Sequence, residues 1–268
     1  VTLTDMLLLG GAGLMAGVVN AVAGGGTFFT FSALVGVGIP PIAANATSSV
    51  AVWPGSIASM AAYRQEVVAH GRRFALLGVV SLAGAAIGAW LLLRLEDAQF
   101  RVLVPWLLLV ATLLFAFSPR LTAYLRARGR RERQEQVAEQ AAGAAGGGGA
   151  VSHIAGAVIQ FLVAIYGGFF GAGMGILMLA ALAVTEGDDF HRINAAKVLL
   201  SVLINGIAIV LFIADGLVRW PAALIVMATC IAGGYLGVVV AKRVPVEWVR
   251  RFVVSVGAGL TAWFFLVP

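Results

Sequence analysis

Charge is scarce in this chain. Only 11% of its 268 residues are Asp, Glu, Lys or Arg, whereas a soluble domain carries roughly 25%. That shortage excludes a water-soluble globule. Cysteine is almost absent: Cys230 is the single one, so no intramolecular disulfide and no CxxC redox pair can form. The three histidines, His70, His153 and His191, lie far apart near loops without metal-ligand spacing, and no HExxH or GxSxG occurs. Neither an enzyme nor a metal or cofactor protein is expected. Acidic residues are also missing from the apolar runs. From Asp5 to Glu247 every carboxylate falls near an end, in a loop or in a hydrophilic segment. Carriers of protons or cations usually bury such a group in the membrane, so a cation substrate is disfavoured.

Hydrophobic residues make up 61% of the chain. The runs Phe74 to Leu93, Val102 to Phe117, Ile154 to Val184 and Leu199 to Ala214 approach or exceed the ~20 residues that cross hydrocarbon. Continuous apolar runs exclude a barrel, whose strands alternate. The fold class expected is an all-α polytopic membrane protein embedded in a lipid bilayer. The net charge of +6 does not point to nucleic acid. Arg120, Arg126, Arg128, Arg130, Arg131 and Arg133 crowd one short hydrophilic segment, the mark of a cytoplasmic loop. The opening run passes into glycine without a basic n-region or a small-residue cleavage site, so no cleavable signal peptide is expected.

Apolar continuity fails at two similar places. Gly24-Gly25-Gly26 precedes a half-span ended by Pro40-Pro41, after which comes Asn45-Ala46-Thr47-Ser48-Ser49. An ungapped shift of 149 residues lands on Gly171-Ala172-Gly173-Met174-Gly175 and then on Asn194-Ala195-Ala196-Lys197. The same shift matches Gly84 with Gly233, Gly88 with Gly237, Arg94 with Arg243, Arg101 with Arg250 and Thr112 with Thr261. Agreement at the rarer Asn and Arg without a gap predicts an internal repeat. The expected division is 1–118 for the first transmembrane repeat, 119–152 for a basic cytoplasmic linker ending in a hinge at Gly146 to Gly149, and 153–268 for the second.

Loop charge predicts orientation. In the first repeat the loop 64–73 carries Arg64, Arg72 and Arg73 against Glu66, while 94–101 is balanced. In the second, Asp215 balances Arg219, and the excess moves to Lys242, Arg243, Arg250 and Arg251. Basic loops stay cytoplasmic, so the repeats are expected to insert upside down relative to one another, as in secondary transporters. Each would hold a glycine-broken helix, re-entrant or discontinuous, plus about three full spans. Both termini would then face away from the cytoplasm.

A half-helix that begins at such a break presents unpaired N–H groups and a positive dipole end. Gly24, Gly25, Gly26 and Thr27, with Gly173, Met174 and Gly175, are therefore candidate binders of a small anion. Lys197, Ser201 and Asn205 recur at helical spacing on one face, and Lys197 is expected just inside a helix, facing the second break. Lys197 reaching the headgroups is the alternative. Asn45, Thr47, Ser48 and Asn194 complete the polar set, with helix capping and interhelical hydrogen bonding as their alternative role. The two stretches are expected to form halves of one midplane site with Lys197 as its counter-charge. No catalytic residue is expected. Protons are the candidate coupling ion, through Lys197 or the substrate itself. Passive channels for anions, and permeases for carboxylates or other small anions, would use the same features.

Gly24-Gly25-Gly26, the run from Asn45 through Trp53-Pro54-Gly55-Ser56, then Tyr63-Arg64, together resemble the TauE/SafE sulfite-exporter family, also called the 4-toluene sulfonate uptake permease (TSUP) family. The later glycine string and Asn194 to Lys197 resemble its second repeat. The resemblance implies a probable exporter of the prokaryotic cytoplasmic (inner) membrane, acting on sulfite, an organosulfonate such as sulfoacetate, or a related small anion.

Overall fold

The computed structural model describes residues 2–22, 25–69, 71–117, 120, 148–185, 190–243 and 246–266. Among them all regular structure is helical. The helices are α1 (Leu3–Val22), α2 (Thr27–Gly36), α3 (Pro41–Ala62), α4 (Arg64–Ala69) and α5 (Gly71–Leu93). Then follow α6 (Asp97–Phe117), α7 (Gly148–Phe169), α8 (Met174–Thr185), α9 (Phe190–Ala214), α10 (Trp220–Arg243) and α11 (Val246–Leu266). Six of these, α1, α5, α6, α9, α10 and α11, contain a stretch long and apolar enough to cross a membrane. Helix α3 is long enough at 22 residues, but its Asn, Ser and Thr residues lower its hydropathy. The protein is a multi-pass α-helical membrane protein.

Close packing between the two stretches depends on glycine. Helix α1 lies parallel to α10, with Gly13 against Val226 and Thr229, and Gly17 against the backbone of Cys230 and Gly233. Helix α5 lies parallel to α7 in the same manner, Gly84 meeting Phe161 and Gly88 meeting the backbone of Ile165 and Phe169. Without a hydrophobic drive between helices in lipid, such backbone approach supplies the packing energy. These two pairs are equivalents under the 149-residue shift, as are α1 with α2 against α7 with α8, and α3 with α10 against α9 with α5. The two stretches are therefore interlocked, not side by side.

Helices α3 and α9 are equivalents that contact each other directly. The backbone N–H of Arg219, in the turn from α9 to α10 and directly before α10, donates to Thr47 Oγ1 at 3.0 Å, near the start of α3. Near its middle, Trp53 Nε1 donates to the Val202 carbonyl at 3.1 Å. Tyr63 and Val67, beyond the end of α3, pack on the apolar cluster that contains Ile193 and Ala196 at the beginning of α9. The two helices run antiparallel, in keeping with inversion. Trp53 and Val202 are themselves matched by the shift, and a residue touches its own equivalent where a two-fold axis would pass.

Three boundaries differ from the sequence expectation. The segment 64–73 is not a loop: α4 fills Arg64–Ala69 and α5 begins at Gly71, because Gln, Glu, Val and Ala contain no helix breaker. Arg72 and Arg73 thus sit in the first turn of α5. Likewise Asp97 opens α6 and its carboxylate accepts the Ile42 N–H at 3.0 Å, which shortens the expected loop 94–101 to a turn. Gly148 and Gly149 lie inside α7, so that part of the expected hinge is helical. Gly24, Gly146, Gly147 and most of the linker fall outside the described residues.

Candidate functional site

The two glycine breaks come together on α6. Gly25 adopts φ +89° and packs against the ring of Phe115. Gly173 adopts φ +74°, and a Cβ there would lie 3.3 Å from that of Ala111. Ala111 and Phe115 are one turn apart on one face of α6. Phe31 of α2 also meets Phe170 edge-on, with ring centroids 5.4 Å apart.

The breaks differ at one matched N–H group, that of Gly26 against Gly175, while the Thr27 N–H at the first break also has no acceptor among the described residues. At the first, Asn20 Oδ1 accepts the Gly26 N–H at 2.8 Å, so this donor is consumed within the protein. Thr27 is half-buried, and its carbonyl accepts from Thr30 Oγ1 at 3.3 Å. At the second, α8 begins at Met174, two residues before the expected start after Gly175. Met174 and Ile176 donate to the carbonyls of Gly171 and Gly173 at 3.2 and 3.0 Å. No acceptor among the described residues faces the N–H groups of Gly173 and Gly175. Tyr166 OH donates to the Ala172 carbonyl at 2.6 Å and fixes this tip, while Asn205 Oδ1 lies 3.9 Å from a Cβ built on Gly171. Met174 is 4% exposed and fills the space beside Gly167 and Ile204. It is a packing residue here.

The remaining polar residues separate into two groups. Asn45 Nδ2 donates to the Phe169 carbonyl at 3.1 Å, tying α3 to the last turn of α7. Thr47 Oγ1 donates to the Ala43 carbonyl at 2.6 Å and accepts from the Arg219 N–H, so it joins α3 to the start of α10. Ser48 pairs with Thr30 at 2.6 Å, and both are fully or almost fully buried. Asn194 is 8% exposed near the other end of the bundle. Since α3 and α9 are antiparallel, Asn45 to Ser48 and Asn194 to Lys197 occupy opposite halves. At about 1.5 Å rise per residue they are roughly 20 Å apart along the helix axes. A single cradle holding both sets, the sequence expectation, is not what the fold builds. An inverted repeat places matched residues side by side only on its axis.

Lys197 is also displaced from expectation. Helix α9 starts at Phe190, so Lys197 lies about two turns, roughly 10 Å, inside it. Ser201 Oγ approaches Met178 Sδ at 4.0 Å, and Asn205 Nδ2 donates to the Ser201 carbonyl at 2.8 Å. All three are half-buried and share the face turned to α8. Only Asn205 reaches the break; Lys197 is roughly 12 Å short of it along the axis.

Sequence reading missed Asn20, Thr30, Tyr166 and the indole of Trp53. Their signal was available: each is a polar group in an apolar helix, six or fewer residues from a break or facing a crossing. Trp53 also packs 3.3 Å from a Cβ built on Gly206. Trp53→Phe keeps most of that contact and loses the hydrogen bond, so it is expected to lower stability by about 1 kcal/mol. Thermal melting of the purified protein would read this, with an unchanged melting temperature as the contrary result. No group of three metal-binding side chains occurs among the described residues.

The family model described as "Sulfite exporter TauE/SafE" matches residues 9–264. The chain belongs to that family. It is 24% identical over 250 residues to a probable membrane transporter protein of Haemophilus influenzae, covering 93% of this chain and 90% of that one. It is 26% identical over 249 residues to the probable membrane transporter protein YfcA of Escherichia coli, covering 93% and 85%. A third relative, the probable membrane transporter protein ORF9 of Sinorhizobium, is 23% identical over 232 residues, covering 87% and 80%. No solved structure is significantly similar. All three relatives carry the name of a probable membrane transporter protein.

Proposed function

We propose that this TauE/SafE protein is a secondary transporter of a small sulfur-containing anion, sulfite or an organosulfonate such as sulfoacetate, and that it works as an exporter. The observation that carries the reading is the second break: two N–H groups without acceptors, at Gly173 and Gly175, open α8 beside Asn205 near the middle of α9. A helix N-terminus at mid-membrane stabilises negative charge, and the Nδ2 hydrogen of Asn205 that is not bonded to the Ser201 carbonyl would add one donor without a fixed charge. A transporter must release its cargo, so a site made of dipoles suits the task better than a tight ion pair.

Alternating access would come from the broken hairpins moving against the α3–α9 crossing. Because α1 is locked to α10 and α5 to α7 through glycine, each pair would travel as a unit. The two transmembrane stretches, 1–118 and 153–268, would supply inverted halves of this machine. Protons are the proposed coupling ion. Under this reading Asn205→Leu, which keeps size and removes the amide, is expected to lower sulfite flux into proteoliposomes by roughly tenfold or more, since hydrogen bonds to charged groups contribute about 1.5–3 kcal/mol. Wild-type flux in Asn205→Leu would sink the central site. Accumulation driven by an imposed proton gradient separates a transporter from a passive channel, which can only equilibrate the anion.

A further inference from the structure

Lys197 has no place in the central site, and its surroundings give it another. Helix α5 begins at Gly71, and the turn at 94–96 sends α6 back to the side from which α5 started. That side therefore carries Arg64, the end of α6 at Phe117 and the adjoining Arg120. Phe74 and Leu77 at the beginning of α5 share an apolar cluster with Ile193 and Ala196 at the beginning of α9. Lys197 therefore lies in the half of the membrane nearest the basic face. Among the described residues it has neither an ion-pair nor a hydrogen-bond partner, although it is only partly exposed. A lysine so placed costs stability in hydrocarbon, and no partner among the described residues offsets the cost.

We propose that Lys197 forms a second anion station, separate from the central site, through which the cargo enters from the basic face. The proposal rests on the transport reading above. Its structural basis is the half-buried ladder Lys197, Ser201, Asn205, which advances one turn at a time along the α8-facing side of α9 and ends at the glycine break. Cations at a mouth with low-dielectric walls raise the local anion concentration, and the neutral hydroxyl and amide beyond would let the anion move on. The opposite half lacks such a station. Its equivalent residue, Ser48, is closed against Thr30 in a buried hydrogen bond. Of the two equivalent positions only the one nearest the basic face thus carries a cation, the arrangement an exporter needs if that face is cytoplasmic.

Two experiments test the station, one without relying on transport. In a Cys230→Ser background, Lys197→Cys is treated with the small anionic thiol reagent sulfonatoethyl methanethiosulfonate. Modification is expected when the basic face is exposed, in inside-out vesicles, and not in right-side-out vesicles. Modification from the other face alone, or from neither, overturns the proposal. In oriented proteoliposomes, Lys197→Gln is expected to raise the half-saturating sulfite concentration roughly tenfold from the basic face while maximal flux is retained. An unchanged value there, or an equal rise from both faces, overturns it. If wild type carries neither sulfite nor sulfoacetate, the substrate reading fails, and the labelling pattern still decides whether Lys197 lines an aqueous mouth.

Discussion

Gly17→Leu is expected to prevent accumulation of folded protein, and Gly88→Leu to do the same from the other side of the bundle. A Cβ on Gly17 would collide with the Cys230 carbonyl and the backbone of Gly233 and Gly234. One on Gly88 would collide with the Ile165 carbonyl and the Phe169 nitrogen. These obstacles are backbone, so no rotamer change relieves them and two helices must separate. Overpacking of an ordinary core costs about 1–3 kcal/mol, and here the loss of contact along a whole helix pair adds to it. Marginal stabilities of roughly 5–15 kcal/mol leave little reserve. Gly11→Leu provides the control on the same helix, since a Cβ there meets nothing within 4 Å. Fluorescence-detected size exclusion of solubilised membranes reads the outcome: a monodisperse peak for Gly11→Leu, and loss or aggregation for the other two. A normal peak for Gly17→Leu would mean that α1 and α10 are not held by backbone contact.

The fold was legible wherever hydropathy decides structure. Phe74 to Leu93 spans as the apolar run predicts, and Thr27 begins a half-helix after its glycines. Asn45 and Asn194, uncommon residues at a fixed shift, mark α3 and α9, whose helix contacts match in keeping with a repeat. Where composition and geometry disagree, the sequence misled. Arg64 to Ala69 reads as loop because it is polar, yet polar residues with no breaker remain helical at a membrane surface. The sequence names candidate residues but not their layout. Sequence matching shows that Ser48 and Lys197 are equivalents, and it is natural to imagine them side by side. Antiparallel α3 and α9 carry them to opposite halves instead, and the matched pair seen in contact is Trp53 with Val202. Depth in a membrane is a tertiary property, set by which ends of two helices meet, and neither spacing nor composition encodes it locally.

The same geometry leads to a sharp contrast within the second break. Gly173→Ala is expected to impair transport strongly, whereas Gly175→Ala is expected to be tolerated. Gly173 holds φ +74°, a left-handed conformation that costs a residue with a Cβ about 1–2 kcal/mol. Its Cβ would also press against Ala111 at 3.3 Å, tighter than ordinary contact. Relief of both requires the peptide to turn, and turning it redirects the free N–H of Gly173 away from the mouth of α8. Gly175 has an ordinary helical φ and open space around its Cα, so alanine there leaves its own N–H in place. If the donors at this break hold the anion, losing one charge-assisted hydrogen bond of about 1.5–3 kcal/mol lowers affinity roughly tenfold to a hundredfold. Sulfite flux in proteoliposomes, normalised to protein that elutes as a single species, would separate the two variants. Wild-type activity in both Gly173→Ala and Gly175→Ala would remove the backbone donors from the mechanism and leave Asn205 as the remaining contact at the centre. A loss in both variants would instead show that the break tolerates no added methyl, which would make its role one of packing against α6 and not of anion binding.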